Sequence, residues 1–155
     1  MSDLFGFSVP APGPVSRGSD DVRTGDAGEL LVLMKLMKWG YDAFQVNRGG
    51  SYDLGVDVAG RFVRIQVKTK SAATGGSWGY TLQRGFHGSK SGQFAYGAGD
   101  FDVAAFVALS IERVLFVPGV VDRWSARTEQ FLGEHAELNS WRVALNELNK
   151  GESNG

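Results

Sequence analysis

Hydrophobic and polar positions change period several times along this chain, and each change marks an element. "DAGELLVLMKLMKWG" (26–40) is apolar almost throughout, with Lys35 and Lys38 on one side of a helical wheel, and so predicts a packed helix. Asp26 reads as its N-cap, Glu29 as the capping-box partner and Gly40 as the stop. Glu29 falls near the middle of the apolar arc, opposite the lysines. Its carboxylate is either held by the open N–H groups of the helix start or aimed into a cleft beside the core.

Strand periodicity follows. "YDAFQV" (41–46) predicts one strand, and "NRGGS" a polar turn. "YDLGVDV" (52–58) alternates, with Leu54, Val56 and Val58 on one face and Asp53, Gly55 and Asp57 on the other. After the turn "AGR", "FVRIQVKT" runs back to complete a hairpin. Its faces differ sharply: Ile65, Val67 and Thr69 on one, Arg64, Gln66, Lys68 and Lys70 on the other. A two-residue loop at Ala59 and Gly60 pairs Val58 with Arg61. Counting outward from that pair sets Asp53 opposite Gln66 on the polar face, with Lys68 two residues further on. Directly opposed residues have Cβ atoms about 4.5 to 5.5 Å apart, so one small ion or water cluster can touch both. Asp57 shares the face but lies roughly 13 Å along the strand from Asp53.

Beyond Ser71 the pattern is loop-like to Gly99, with a short strand expected around Tyr80 to Gln83. "DVAAFVAL" (102–109) and "RVLFVP" (113–118) are apolar enough for central strands. "RTEQFLGEH" and "NSWRVALNELN" predict two terminal helices, the second capped by Asn139 or Ser140. No internal repeat is visible. The order predicts an α/β fold, a mixed β-sheet flanked by helices, in three parts: a mobile tail or arm at 1–20, a core at 21–118 and a helical extension packed on it at 119–155. The tail holds three of the four prolines, and it lacks the charged start and apolar run of a signal peptide. "LLVLMKLMKW" is too short and too interrupted to span a bilayer. A soluble, cytoplasmic protein with no membrane partner is expected.

Composition sharpens the picture in two places. The absence of cysteine excludes disulfides and thiolate metal sites. The net charge of -1 is uninformative, but between Val58 and Gly99 there is no Asp or Glu, while Arg61, Arg64, Lys68, Lys70, Arg84 and Lys90 all fall there. That stretch also interleaves glycine with Phe62, Trp78, Tyr80, Phe86, Phe94 and Tyr96, a composition suited to phosphate contacts with stacking or wedge residues. The plainer alternative is a basic hairpin whose aromatics belong to the core.

A carboxylate, an amide oxygen across from it, a lysine two residues on and a second carboxylate at a helix start form a toolkit for phosphodiester hydrolysis. Oxygen ligands suit Mg²⁺, which keeps waters and binds through one or two carboxylates plus a substrate phosphate. Other chemistry finds little support. His87 and His135 are isolated, "GSKSG" (88–92) lacks Walker spacing so no nucleotide cofactor is expected, and no serine elbow occurs. Asp100 and Asp102 read mainly as residues opening a buried strand.

Glu29 in "GEL", Asp53 in "YDLGVD", and Gln66 with Lys68 in "QVK" resemble, in order and spacing, the PD-(D/E)XK nuclease superfamily, which includes restriction enzymes and archaeal Holliday junction resolvases. The resemblance covers roughly residues 25 to 118 and implies a restriction-endonuclease-like core. It also implies Asp53 as principal metal ligand, Lys68 as catalytic lysine and Glu29 as accessory ligand or water-orienting carboxylate, with Gln66 completing the catalytic and metal set. Two positions depart from the pattern: Tyr52 stands where proline is common, and Gln66 replaces an acid. The glutamine removes one negative charge and weakens Mg²⁺ binding, with Glu29 available to compensate. A glutamine there resembles a subgroup that includes a bacterial intron-encoded homing endonuclease.

The implied activity is a Mg²⁺-dependent endonuclease, with Mn²⁺ substituting, that cuts double-stranded or branched DNA as a homodimer, because one such site cuts one strand. Arg48, Arg64, Lys70, Arg84 and Lys90 are the expected DNA contacts. Two competing readings are a DNA-binding or assembly module that kept the fold but not the chemistry, with Gln66 as its sign, and a small α/β interaction protein without a nucleic-acid partner.

Overall fold

Strand β7 (Val103–Ala108) is buried at every position, which requires cover on both faces of its sheet. The computed structural model describes residues 17–46, 50–84 and 94–153, the side chains of 17–19 and 84 excepted. Helix α1 (Arg17–Lys38) leads into β1 (Asp42–Gln45), β2 (Leu54–Val58) and β3 (Arg61–Lys70). After β4 (Ser77–Thr81), β5 (Gln83–Arg84) and β6 (Phe94–Ala95), the chain enters β7 and then β8 (Arg113–Pro118). It finishes with β9 (Arg123–Arg127), α2 (Thr128–Leu132) and α3 (Ala136–Glu152). Five strands form the main sheet in the order β1-β2-β3-β7-β8, antiparallel except for the β3–β7 pair. Two ribbons, β4–β9 and β5–β6, stand apart from it. The predicted mixed sheet flanked by helices is therefore present.

The two faces of the sheet have different covers. Val32 and Leu36 of α1 and Trp141 and Ala144 of α3 pack on Leu54, Val56, Val63, Ile65, Val67, Val103 and Val107. On the opposite face, Trp78 and Tyr80 of β4, Ala126 of β9 and Phe131 of α2 cover Ala104, Phe106 and Ala108, with Trp124 stacked on Phe106 at 4.3 Å between centroids. This second cover lies over the β7–β8 half. Among the described residues this cover does not extend over Phe44 of β1 and Phe62 of β3, which remain exposed on the same face. Among the described residues no helix is long and apolar enough to cross a membrane.

Several boundaries differ from expectation. Helix α1 opens at Arg17, so the last residues of the expected tail are helical, and Asp26 and Glu29 lie within the helix rather than forming a capping box. Tertiary packing overrides the local signal. Gly28 sits so close to β3 that an added Cβ would lie 1.8 Å from Thr69 Oγ1, and this docking carries helix through a glycine-rich stretch that propensity would interrupt. Helix α3 likewise opens at Ala136, leaving Asn139 and Ser140 in its first turns. There Ser140 Oγ accepts from Phe116 N–H at 3.0 Å and donates to Glu137 O at 2.8 Å, binding the helix to β8. The expected strand at 80–83 is split between β4 and β5, and β9, with its polar sequence, was not anticipated.

Candidate active site

The hairpin register holds. Ala59 and Gly60 have φ of 51° and 83°, the two positive values of a type I′ turn, and Val58 pairs with Arg61. The ladder continues to Leu54 and Ile65. Beyond the end of that ladder, Asp53 N–H donates to Ile65 O at 2.9 Å, and Asp53 O accepts from Val46 N–H at 2.9 Å. The Asp53 backbone is thus fixed from both neighbouring strands.

Its side chain crosses to β3. Gln66 Nε2 donates to Asp53 Oδ2 at 2.6 Å, and Val67 N–H donates to the same oxygen at 2.8 Å. Gln66 is buried, at 5% exposure, and also donates to Val67 O at 3.3 Å. Burial pushes the Asp53 carboxyl above its ordinary range, an effect that the Val67 N–H and the Lys68 charge only partly offset. Burial likewise pulls the Lys68 ammonium below its usual range, against the opposing pull of Asp53. Lys68 Nζ lies 5.8 Å from the centroid of the Tyr96 ring, a cation–π contact. Two coupled groups, each driven toward neutrality by burial, mark a place where the fold tolerates an electrostatic cost.

Glu29 reaches this end of the sheet from α1. Its Oε2 accepts from Gln45 Nε2 at 3.3 Å, and Gln45 pairs with Leu54, the residue after Asp53. Asp57 instead caps its own turn by accepting from Gly60 N–H at 2.9 Å. Asp53, Gln66 and Lys68 are brought together, and Glu29 is bonded to Gln45, whose strand partner Leu54 follows Asp53 in the chain. Gln45 is the participant that local pattern did not single out, and Tyr96, expected only as one of the aromatics of the basic stretch, is placed against Lys68. Hairpin register places Gln45 beside Leu54 only once β1 is paired, and nothing local puts Tyr96 beneath Lys68.

The expected DNA contacts fare unevenly. Arg64 is turned inward: Nε and Nη2 donate to the Asp102 carboxylate, each at 3.0 Å, and Nη1 donates to Gly99 O. Burial opposes the Asp102 charge, but the Arg64 guanidinium and N–H hold its carboxyl below the usual range. Asp102 is therefore a partner for Arg64 as well as a residue that opens β7. Arg61 is paired with Glu152 at 3.1 Å. The acid-free stretch thus draws acidic partners from outside itself. Lys70 lies half-buried on β3. Arg48, Lys90 and the Arg84 side chain lie outside the described residues.

A profile of the PD-(D/E)XK endonuclease family matches residues 20–136. The chain belongs to the PD-(D/E)XK endonuclease family. The fold is also similar to that of a bacterial homing endonuclease, I-Ssp6803I, with a TM-score of 0.65 and 19% identity over 84% of this chain and 97% of that one. No curated protein matches it by sequence. Family and fold together support a nuclease, and PD-(D/E)XK nucleases usually use divalent metals.

The donor set bears on such a metal. Among the described residues no group of three or more His, Cys, Asp or Glu side chains is placed to hold an ion. What the cluster offers a cation is the Asp53 carboxylate, to which Gln66 turns its Nε2, while Glu29 is held on Gln45 of β1. Burial raises the Asp53 carboxyl despite the nearby Lys68 charge. Such a carboxylate fits a hard cation retaining several waters.

Proposed function

We propose that this protein is a Mg²⁺-dependent endodeoxyribonuclease, with Mn²⁺ able to substitute, that hydrolyses phosphodiester bonds in double-stranded or branched DNA. The observation that carries this reading is the Asp53–Gln66–Lys68 cluster, assembled across the β2–β3 hairpin and electrostatically strained in the direction a metal and a phosphate would relieve. Asp53, Glu29 and Gln66 would hold the metal, which when bound would supply charge stabilisation at the phosphate and a more acidic water. Gln66 fixes the Asp53 carboxylate through its Nε2 donor. Lys68, desolvated beside that carboxylate, directs its ammonium to the non-bridging phosphate oxygens where charge grows.

Binding of the duplex falls to Lys70 on the same face, with Arg48, Arg84 and Lys90 as further backbone contacts and Arg64 contributing while it holds Asp102. Two copies acting as a homodimer would cut both strands. A second reading has one specific support: Gln66 is neutral and points a donor, not an acceptor, at Asp53. In that reading the chain is a DNA-binding or assembly module retaining the fold without the chemistry.

Cleavage of end-labelled linear duplex, nicked duplex and four-way junction at low salt separates the two. Metal-dependent cutting, absent in EDTA and lost in Lys68→Ala, is expected. Binding without cutting in Mg²⁺ and Mn²⁺ would establish the silent module instead.

A further inference from the structure

Beside the site, on the open part of the same sheet face, lie three aromatic rings. Phe44 and Phe62 are 48% and 46% exposed, and belong to neither core. Their centroids are 5.8 Å apart with planes 34° from parallel, and Tyr52 meets Phe62 edge-on at 6.1 Å. Gly55 lies beneath them. A Cβ there would come within 2.7 Å of both phenyl rings, so the absent side chain lets both rings lie down on β2. Gly55 is two residues from Asp53 on the same face, about 7 Å along the strand. Tyr52 directly precedes Asp53.

We propose that Phe44, Phe62 and Tyr52 form a stacking platform for an unpaired base of the DNA substrate, next to the phosphate held at Asp53 and Lys68. This rests on the nuclease reading and narrows its substrate to branched, flapped or mismatched DNA. Three observations favour a base over another occupant. The platform is continuous with the phosphodiester site, so a backbone held at Asp53 brings its neighbouring nucleotide to the rings. The surface is aromatic rather than aliphatic, and every base has a π-face. Beyond the rings, the cross-strand pair Asp42 and Asp57, both exposed, repels phosphate, so the sugar–phosphate chain turns away and the base remains. A paired base cannot reach these rings without leaving its stack, and the cost of leaving is least where the base is already unpaired.

The test uses the full chain. Cleavage by wild type in Mg²⁺ and Mn²⁺ is measured first. Lys68→Ala protein is then titrated in EDTA and in Ca²⁺ with matched oligonucleotides, one fully paired and one carrying a single unpaired 2-aminopurine. The same protein with Phe44→Leu and Phe62→Leu keeps apolar cover over Gly55 but removes the stacking faces, and Phe62→Trp restores one. Expected are quenching of the unpaired 2-aminopurine and a loss of affinity for that DNA of roughly 10- to 100-fold in the double leucine variant. The paired duplex should change little, and Phe62→Trp alone should retain the quench. Equal loss on both DNAs, no quench, or a leucine variant that dissociates a dimer in sedimentation would overturn the platform. Cutting by wild type without discrimination would sink the platform alone. Discrimination without cutting would sink the nuclease reading and leave the platform standing.

Discussion

At the scale of single residues, Asp53 and Lys68 of the proposed site are each charged groups that burial disfavours. A carboxyl whose folded pKa is raised binds its proton more tightly in the folded than in the unfolded chain. Its stabilising contribution therefore grows as pH falls through the folded value toward the ordinary 3.8, and is lost above it. At neutral pH the ionised Asp53 costs stability in the metal-free protein. Asp53→Asn should accordingly raise the melting temperature in EDTA while abolishing cleavage, and a fall in melting temperature would count against this account. Lys68→Ala should lower the cleavage rate at least about 100-fold with DNA binding retained. Gln66→Glu turns a 2.6 Å donor contact into two facing carboxylates. Without metal it should lower the melting temperature. Millimolar Mn²⁺ should restore more stability to this variant than to wild type, which a thermal melt with and without metal reads directly.

Among the elements, α1 and its glycine set the geometry that brings Glu29 to the sheet. Alanine is favoured over glycine in a helix, yet Gly28→Ala places a methyl 1.8 Å from Thr69 Oγ1. The variant should lose about 1 to 3 kcal/mol in denaturant unfolding, because the helix must lift from β3. Adding Thr69→Ala should recover part of that loss. An unchanged Gly28→Ala protein would mean that the docking is looser than described. The hairpin β2–β3 behaves oppositely, since its turn chemistry and two-residue period agree with the final fold. Here the sequence was legible: the pairing of Val58 with Arg61, and with it the register as far as Leu54 and Ile65 beside which the Asp53 and Gln66 side chains meet, could be counted from the turn.

For the molecule as a whole, charge is organised by contacts between distant segments. Glu137 of α3, 8% exposed, accepts from Lys35 Nζ of α1 at 2.7 Å, from Arg113 Nη1 at 3.1 Å and from Val114 N–H at 2.9 Å. Glu137→Ala strands the largely buried Lys35 and should cost about 3 kcal/mol in denaturant unfolding, with little effect on DNA affinity under conditions where the variant remains folded. DNA binding should weaken as salt rises, despite the net charge of -1, because the proposed phosphate contacts are local. A salt-independent affinity would argue for a partner other than nucleic acid. The alternation of β2 and β3, the apolar runs of β7 and β8, and the order of Glu29, Asp53, Gln66 and Lys68 were fixed by sequence alone. Each depends on side-chain period and neighbouring residues, which a strand imposes locally. Only the tertiary structure decided that α1 begins at Arg17, that β9 exists, that Arg64 turns to Asp102, and that Gln45 and Tyr96 stand beside Glu29 and Lys68. Those outcomes arise from burial and pairing between segments far apart in the chain, where a strand as polar as β9 is held by its partner β4 rather than by its own pattern.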